Sequence, residues 1–294
     1  MFNLLATILL NTLLFIMFKF FPRFNIDSRQ AIAVNYWTCA ITGYLFIDNK
    51  SVIVSPAHFS LIPWAVLMGI MFIIVFNLMA LSTIKQGITT TTVANKLSLV
   101  IPVIFSVWLY NEELGLLKLA GILTAFPAVY LSTKTGQDGT KKSSLLLPVI
   151  IFLSSGLLDT LVKYVEHHYL HTNHATITYT IYMFCVAATA GTIAAIYLSV
   201  KNKTGFPLRN VAAGIILGIP NYFSIYFLVK LLNSNYFQSS AAIPINNIGI
   251  VLASAVAGIL LFREKTTAAR IIGLFLSILS IILIAFADVN GRSI

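Results

Sequence analysis

The stretch TTTTVANKLSLVIPVIFSVWLYNEELGLLKLAGILTAFPAVYLST, residues 89–133, decides how this chain is read, because most of it occurs twice. Two apolar segments flank a short charged break at Asn111, Glu112 and Glu113. The second copy is AAIPINNIGIVLASAVAGILLFREKTTAARIIGLFLSILSIILIAFA, residues 241–287, with its break at Arg263, Glu264 and Lys265. In each copy eight residues separate a glutamate from a glycine, Glu112 from Gly121 and Glu264 from Gly273. The two copies are therefore offset by 152 positions, about half the chain, and a fixed-period echo of this kind is read before any local feature.

Composition sets the environment of the repeat. The chain has 294 residues, 58% of them hydrophobic and only 10% charged, and a mean hydropathy of +0.90. Soluble domains carry about 25% charged residues, so a water-facing surface cannot be built from this sequence. The composition implies an all-α integral membrane protein. The net charge of +10 does not indicate nucleic-acid binding, because the lysines and arginines lie in the breaks between apolar runs, where they orient spans and meet lipid headgroups. Cys39 and Cys185 both lie within apolar runs and read as free packing residues. The opening MFNLLATILLNTLLFIMFKFF lacks the basic start and small-residue cleavage site of a signal peptide and reads as a first span.

A helical span needs about 20 apolar residues. Ten segments qualify, near 2–21, 30–47, 59–84, 89–110, 114–132, 145–165, 175–200, 208–232, 237–262 and 268–287. The longest polar linker, 134–144, divides them into a first half, 1–133, and a second, 145–294. Five spans per half is an odd number, so halves of one fold must cross the membrane in opposite senses. Other echoes keep the same order: Lys19 with Lys163, Gln30-Ala31 with His174-Ala175, and Gly69 with Gly218. The reading is ten transmembrane helices arranged as two inverted five-helix repeats.

Pro102, Glu112 and Gly121 in the first copy, Glu264 and Gly273 in the second, and Lys19 and Lys163 at the ends of the first helices resemble the EamA-type branch of the drug/metabolite transporter superfamily. The resemblance covers nearly the whole chain. It departs from the family at Asn111 and Arg263, where a glycine is common before the glutamate, and at Pro244, which stands earlier in its span than Pro102 does. The resemblance implies a ten-helix secondary transporter in the cell (inner) membrane. Its substrates range over amino acids, sugars, nucleotide-sugars, phosphorylated metabolites and drugs. It also implies termini inside, whereas the count of Lys and Arg in the loops after the odd-numbered spans places those loops in the cytoplasm and the termini outside.

Polar groups inside spans need partners or water and so mark the interior of a bundle. Lys96, between Asn95 and Leu97, is the strongest candidate to meet an anionic group of a substrate, against the alternative of a stem that snorkels to the interface. Asn246 and Asn247 occupy the matching region of the ninth span. Asn11, Asn77, Asn221, Tyr222 and Tyr226 are further candidate contacts, or else interhelical hydrogen bonds. Asp159 is a candidate proton-coupling carboxylate, or one half of an i,i+4 pair with Lys163. Pro102, Pro220 and Pro244 each remove a backbone hydrogen bond and invite kinks. Glu112 and Glu264 read as helix-terminus residues, with Asn111 capping the fifth helix. Gly214 and Gly218 form a GxxxG that permits close helix contact.

His167, His168, His171 and His174 have metal-like spacing but sit at a span end without a second ligand type, so no metal site is expected. GQDGTKKS, from Gly136, lacks the spacing of a phosphate loop. With no nucleotide-binding domain, no cofactor and no nucleophile–base pair, the expectation is not an enzyme. It is a secondary transporter, as monomer or homodimer, of a small polar metabolite such as an amino acid or organic anion, with membrane lipids as its other partners. Transport of hydrophobic drugs or cations is the alternative within that class, and a membrane enzyme or lipid-handling protein the alternative outside it.

Overall fold

The computed structural model describes residues 1–46, 60–110, 115–134, 145–170, 173–232 and 239–290, and for 106–110, 173–174, 239–241 and 288–290 it describes the backbone only. Asn111, Glu112, His171, the linker from 135 to 144 and the His174 side chain therefore lie outside the described residues.

Eleven α-helices make up the described residues, with no strand among them: α1 (Phe2–Phe20), α2 (Ser28–Leu45), α3 (Ile62–Gln86), α4 (Ile88–Leu97), α5 (Val100–Tyr110), α6 (Leu116–Ser132), α7 (Leu146–Tyr169), α8 (Asn173–Lys201), α9 (Leu208–Leu232), α10 (Ser239–Phe262) and α11 (Ala268–Asn290). Eight spans among them are long and apolar enough to cross a membrane, α4 counting together with the start of α5. The chain is an all-helical, multi-pass membrane protein. The remaining two of the ten expected segments are α2, which is long enough but carries buried Gln30 and Asn35, and α6, which has 17 residues.

The fourth expected span is broken where proline chemistry breaks it. Pro102 has no N–H to give to the Ser98 carbonyl, and the Ile101 N–H takes that carbonyl instead at 2.9 Å, one residue short of helical register. Ser98 turns its hydroxyl back to the Asn95 carbonyl, and α4 ends one residue before it. Pro220 and Pro244, by contrast, lie within continuous helices.

The helices form two compact units, and each unit draws on both halves of the sequence. The first comprises 1–19, 79–157 and 224–294; the second comprises 20–78 and 158–223. In the first unit α6 lies along α11, and α4 packs on α10, α6 and α11. The α6–α11 pair is antiparallel. A Cβ on Gly121 would come 2.7 Å from Ile284 Cγ1 and 3.1 Å from the Ser280 carbonyl, and one on Gly273 would come 2.7 Å from the Ser132 nitrogen and 3.0 Å from the Ala128 carbonyl. Shifting Gly121, Ser280 and Ile284 by 152 positions turns the first set of contacts into the second. The two helices thus meet glycine to backbone at both ends, with the Ser280 hydroxyl donating to the Gly121 carbonyl at 2.6 Å. On α1, Leu4 packs against Leu231 and Ala242, and Ile8 fills the space over Gly249.

In the second unit α2 lies antiparallel on α8, tied by Gln30 Nε2 to Ser199 Oγ at 2.7 Å and Trp37 Nε1 to Thr192 Oγ1 at 3.0 Å. The expected close contact of the GxxxG is made on α2. There Gly214 faces Val34 and the Ala31 carbonyl, and Gly218 faces Thr38 and the Asn35 carbonyl. Tyr36 is buried between Phe76 and Phe184 and donates to the Phe72 carbonyl at 3.2 Å. Asp27 starts α2 by accepting from the Arg29 N–H.

Candidate functional site

The first unit holds Asn11, Asn95, Lys96, Tyr226, Asn246 and Asn247; the second holds Asn77, Asp159, Asn221 and Tyr222. In the first unit the candidates sit on helices that pack together. Asn95 and Lys96 are half-buried in the last turn of α4, immediately before the Pro102 break. Asn95 donates to Ser155 Oγ on α7 at 3.0 Å. Asn246 and Asn247 are buried on α10, against which α4 packs. The Asn246 Oδ1 atom has no hydrogen-bond partner among the described residues, and neither have Thr12 Oγ1 and Ser254 Oγ. Buried polar atoms almost always find partners; Thr83 Oγ1 in the same unit is a further such atom without one.

The other two candidates of this unit are accounted for by neighbours. Asn11 donates to the Thr7 carbonyl at 2.9 Å and to Thr7 Oγ1 at 3.3 Å, and Thr7 donates to the Ser224 carbonyl on α9 at 3.1 Å. The Tyr226 ring lies beneath Lys230 Nζ, 4.6 Å from the ring centroid.

In the second unit Asn221 is buried and donates to Asn35 Oδ1 at 3.1 Å, an interhelical bond between α9 and α2. Asn77 donates back to the Ile73 carbonyl of its own helix at 2.8 Å. Tyr222 stacks in a group with Phe46 and Phe223. Asp159 and Lys163 are both exposed on the same face of α7. At the end of that helix His167 and His168 join an aromatic group with Tyr164, Tyr169 and Trp64. Among the described residues no group of three metal-ligating side chains forms.

A charged cluster unforeseen as a unit lies at the junction of α3 and α4. Glu264, in the α10–α11 connection, accepts from the Ile88 N–H at 2.6 Å, from the Thr89 N–H at 3.4 Å and from Thr89 Oγ1 at 2.9 Å. It therefore caps α4, not the helix after it in the chain. That next helix, α11, is capped by Thr267, whose hydroxyl accepts from the Arg270 N–H at 3.2 Å. Likewise the N-cap position of α6 is Gly115, without a side-chain cap. Lys19 donates to the Thr83 and Ile84 carbonyls at the end of α3, at 3.1 and 3.3 Å. Arg270, 6% exposed, donates to the Lys265 and Gln86 carbonyls. Both cations lie within electrostatic reach of the Glu264 carboxylate.

Glu264 is the one carboxylate among the described side chains of the first unit, where Lys19, Lys96, Lys118 and Arg270 are buried or half-buried. Among the described side chains of this unit the buried and half-buried charge is mostly positive. Sequence reading found Lys96 by its place in a span; it missed Lys118 and Arg270, which stand close enough to the charged breaks to pass for loop residues. The unit also contains a largely apolar groove of about 240 Å³ lined by Phe126, Val129, Tyr130, Val149, Phe152 and neighbours.

No family model matches the chain. An uncharacterized protein of Haemophilus influenzae is 26% identical over 295 residues, an alignment that covers 98% of this chain and 99% of that protein. The likeness thus takes in both halves of the repeat and both compact units.

Proposed function

We propose that the protein is a secondary transporter of small polar metabolites carrying a negative group, amino acids or organic anions, built from two inverted five-helix repeats. The observation that carries this reading is the antiparallel α6–α11 pair. Its glycine contacts map onto each other under a shift of 152 positions, the same offset that relates the two copies in sequence. The α2–α8 and α4–α10 pairings extend the pattern, since each joins an expected span to the one five places later. Helices related in this way give two equivalent arrangements, one open to each side of a membrane, which is the basis of alternating access.

The sign of the substrate comes from the first unit. Half-buried Lys96 and Asn95 lie on α4 beside the Pro102 break, and the described side chains of the unit include more buried or half-buried cations than carboxylates. Unpartnered Asn246 Oδ1 offers an acceptor on the helix that α4 packs against. A carboxylate or similar anion held by Lys96, with its donor groups on Asn246, satisfies both.

Uptake of a labelled metabolite panel into proteoliposomes, with and without a proton gradient, tests the reading. Anionic or zwitterionic solutes are expected to move, and Lys96→Ala to weaken them far more than neutral solutes. Equal loss for both classes refutes the role of Lys96. Active protein that carries no amino acid, sugar or organic anion refutes the function. A preference for organic cations that disappears in Asp159→Asn selects the drug or cation alternative, for which the exposure of Asp159 on α7 is the favouring observation.

A further inference from the structure

The niche that receives Glu264 is built for a carboxylate. Two glycines make room for it: a Cβ on Gly87 would lie 2.5 Å from Glu264 Oε1, and one on Gly258 would lie 2.7 Å from Oε2. Gly87 is also the N-cap residue of α4 and has φ of 105°, in the region open to glycine. It offers no side chain, so α4 depends on a residue from the other half of the sequence for its cap. The helix dipole and the cations Lys19 and Arg270 attract a negative carboxylate to that point.

The α10–α11 connection delivers the carboxylate under strain. Arg263 has φ of 50°, a left-handed conformation that a non-glycine residue adopts at a cost. The turn is closed by the Glu264 N–H donating to the Gly258 carbonyl at 3.0 Å, six residues back, one residue beyond the reach of a Schellman bond. Strain of this kind clusters at elements that switch between two states. Meanwhile the other end of α4 is already separated from α5 by the Pro102 break. Helix α4 is thus a ten-residue rod, hinged at Ser98 and fastened at Ile88.

We propose that Glu264 is a releasable latch on α4: it holds the N-terminus of that helix in the arrangement seen here and lets go when α4 pivots about the Ser98 break. For its consequence in transport the latch rests on the proposed role of Lys96, which α4 carries, but its test needs no substrate. The variants are Glu264→Gln, which keeps the size and removes the charge, and Gly258→Ala, which keeps the glutamate and drives its carboxylate from the niche.

The reporter is Thr92→Cys, on the buried face of α4, in a background carrying Cys39→Ala and Cys185→Ala. The control reporter is Thr178→Cys, equally buried on α8 in the second unit. Modification by a small water-soluble methanethiosulfonate is followed in detergent. Both variants are expected to speed labelling at position 92 about tenfold or more, the change that 1.4 kcal/mol in an opening equilibrium gives, and to leave position 178 unchanged. An unchanged rate at position 92 in either variant overturns the latch. So does parallel acceleration at position 178, which reports general loosening. A failure to transport in the proteoliposome assay leaves both rates interpretable.

Discussion

Gly121 and Gly273 hold equivalent places in the α6–α11 pair, yet they should not respond equally to a methyl group. At Gly273 the added Cβ meets backbone, the Ser132 nitrogen at 2.7 Å and the Ala128 carbonyl at 3.0 Å. Neither can move unless α6 shifts as a whole. At Gly121 the nearest atom, also at 2.7 Å, is Ile284 Cγ1, and the closest backbone atom, the Ser280 carbonyl, is at 3.1 Å. A side chain can yield there at the expense of a rotamer change of about 0.5–1.5 kcal/mol. Overpacking that forces backbone apart costs roughly 1–3 kcal/mol, and glycine to alanine in a helix returns up to about 1 kcal/mol of intrinsic preference. Gly121→Ala should therefore be close to neutral, and Gly273→Ala destabilising by about 1–2 kcal/mol net. Thermal unfolding in detergent, followed by thiol-reactive dye at buried Cys39, compares the two directly. Ile284→Ala, which removes the Cγ1 that the new methyl meets, should cost less in the Gly121→Ala background than alone, while no single side-chain truncation should relieve Gly273→Ala. A Gly121→Ala variant more harmful than Gly273→Ala refutes this asymmetry, and so does an Ile284→Ala change that costs more in the Gly121→Ala background than alone.

Arg263→Gly removes the cost of a left-handed non-glycine residue at the end of α10, so stability should rise by about 1 kcal/mol; a fall in the unfolding midpoint would show that the Arg263 side chain contributes more than its backbone costs. Pro102→Ala returns an N–H to the Ser98 carbonyl and lets α4 and α5 join. Its expected signature is a maximal transport rate reduced severalfold with the half-saturating concentration little changed, and a rate equal to the unmodified protein's would show that transport needs no hinge there.

The parts of this fold that were legible in sequence are those fixed by local chemistry. Apolar length gave eight of the ten expected spans, and Gly214 and Gly218 announced a close helix contact that the structure contains. Pro102 announced a break, although the helix gives way at Ser98, four residues earlier, because that is where the missing donor would have bonded. What depended on partners distant in the chain stayed hidden. Glu264 reads as a first-turn acid of α11, but its hydrogen bonds lie 176 and 175 residues away on α4. Asn221 reads either as a cavity contact or as an interhelical hydrogen bond, and nothing local names Asn35, 186 residues distant, as the partner that takes its N–H. The interleaving of the two halves into compact units was equally invisible, since hydropathy gives the length of a span and nothing of its neighbours. Helix α2 shows the converse limit: Gln30, Asn35 and Thr38 lower its hydropathy, and the first two do so because they bond to other helices.

Four consecutive threonines stand in the first turn and a half of α4 and are all buried. Threonine is a poor autonomous helix former, and here each hydroxyl has a bond to make: Thr89 to Glu264, Thr90 to the Ser132 carbonyl, Thr91 to Ser82 and to the Gly87 carbonyl, Thr92 to the Ile88 carbonyl. Two of these arrangements are local, but the cap at Thr89 waits on a residue the ribosome reaches only after most of the chain has been made. Helix α4 accordingly acquires its final N-terminus late in biogenesis, after α10 has entered the membrane. Chains arrested before residue 264 should expose the 88–92 segment to protease, and chains arrested well beyond it should protect the segment. The first half of the chain, though it is synthesised first, is finished by the second.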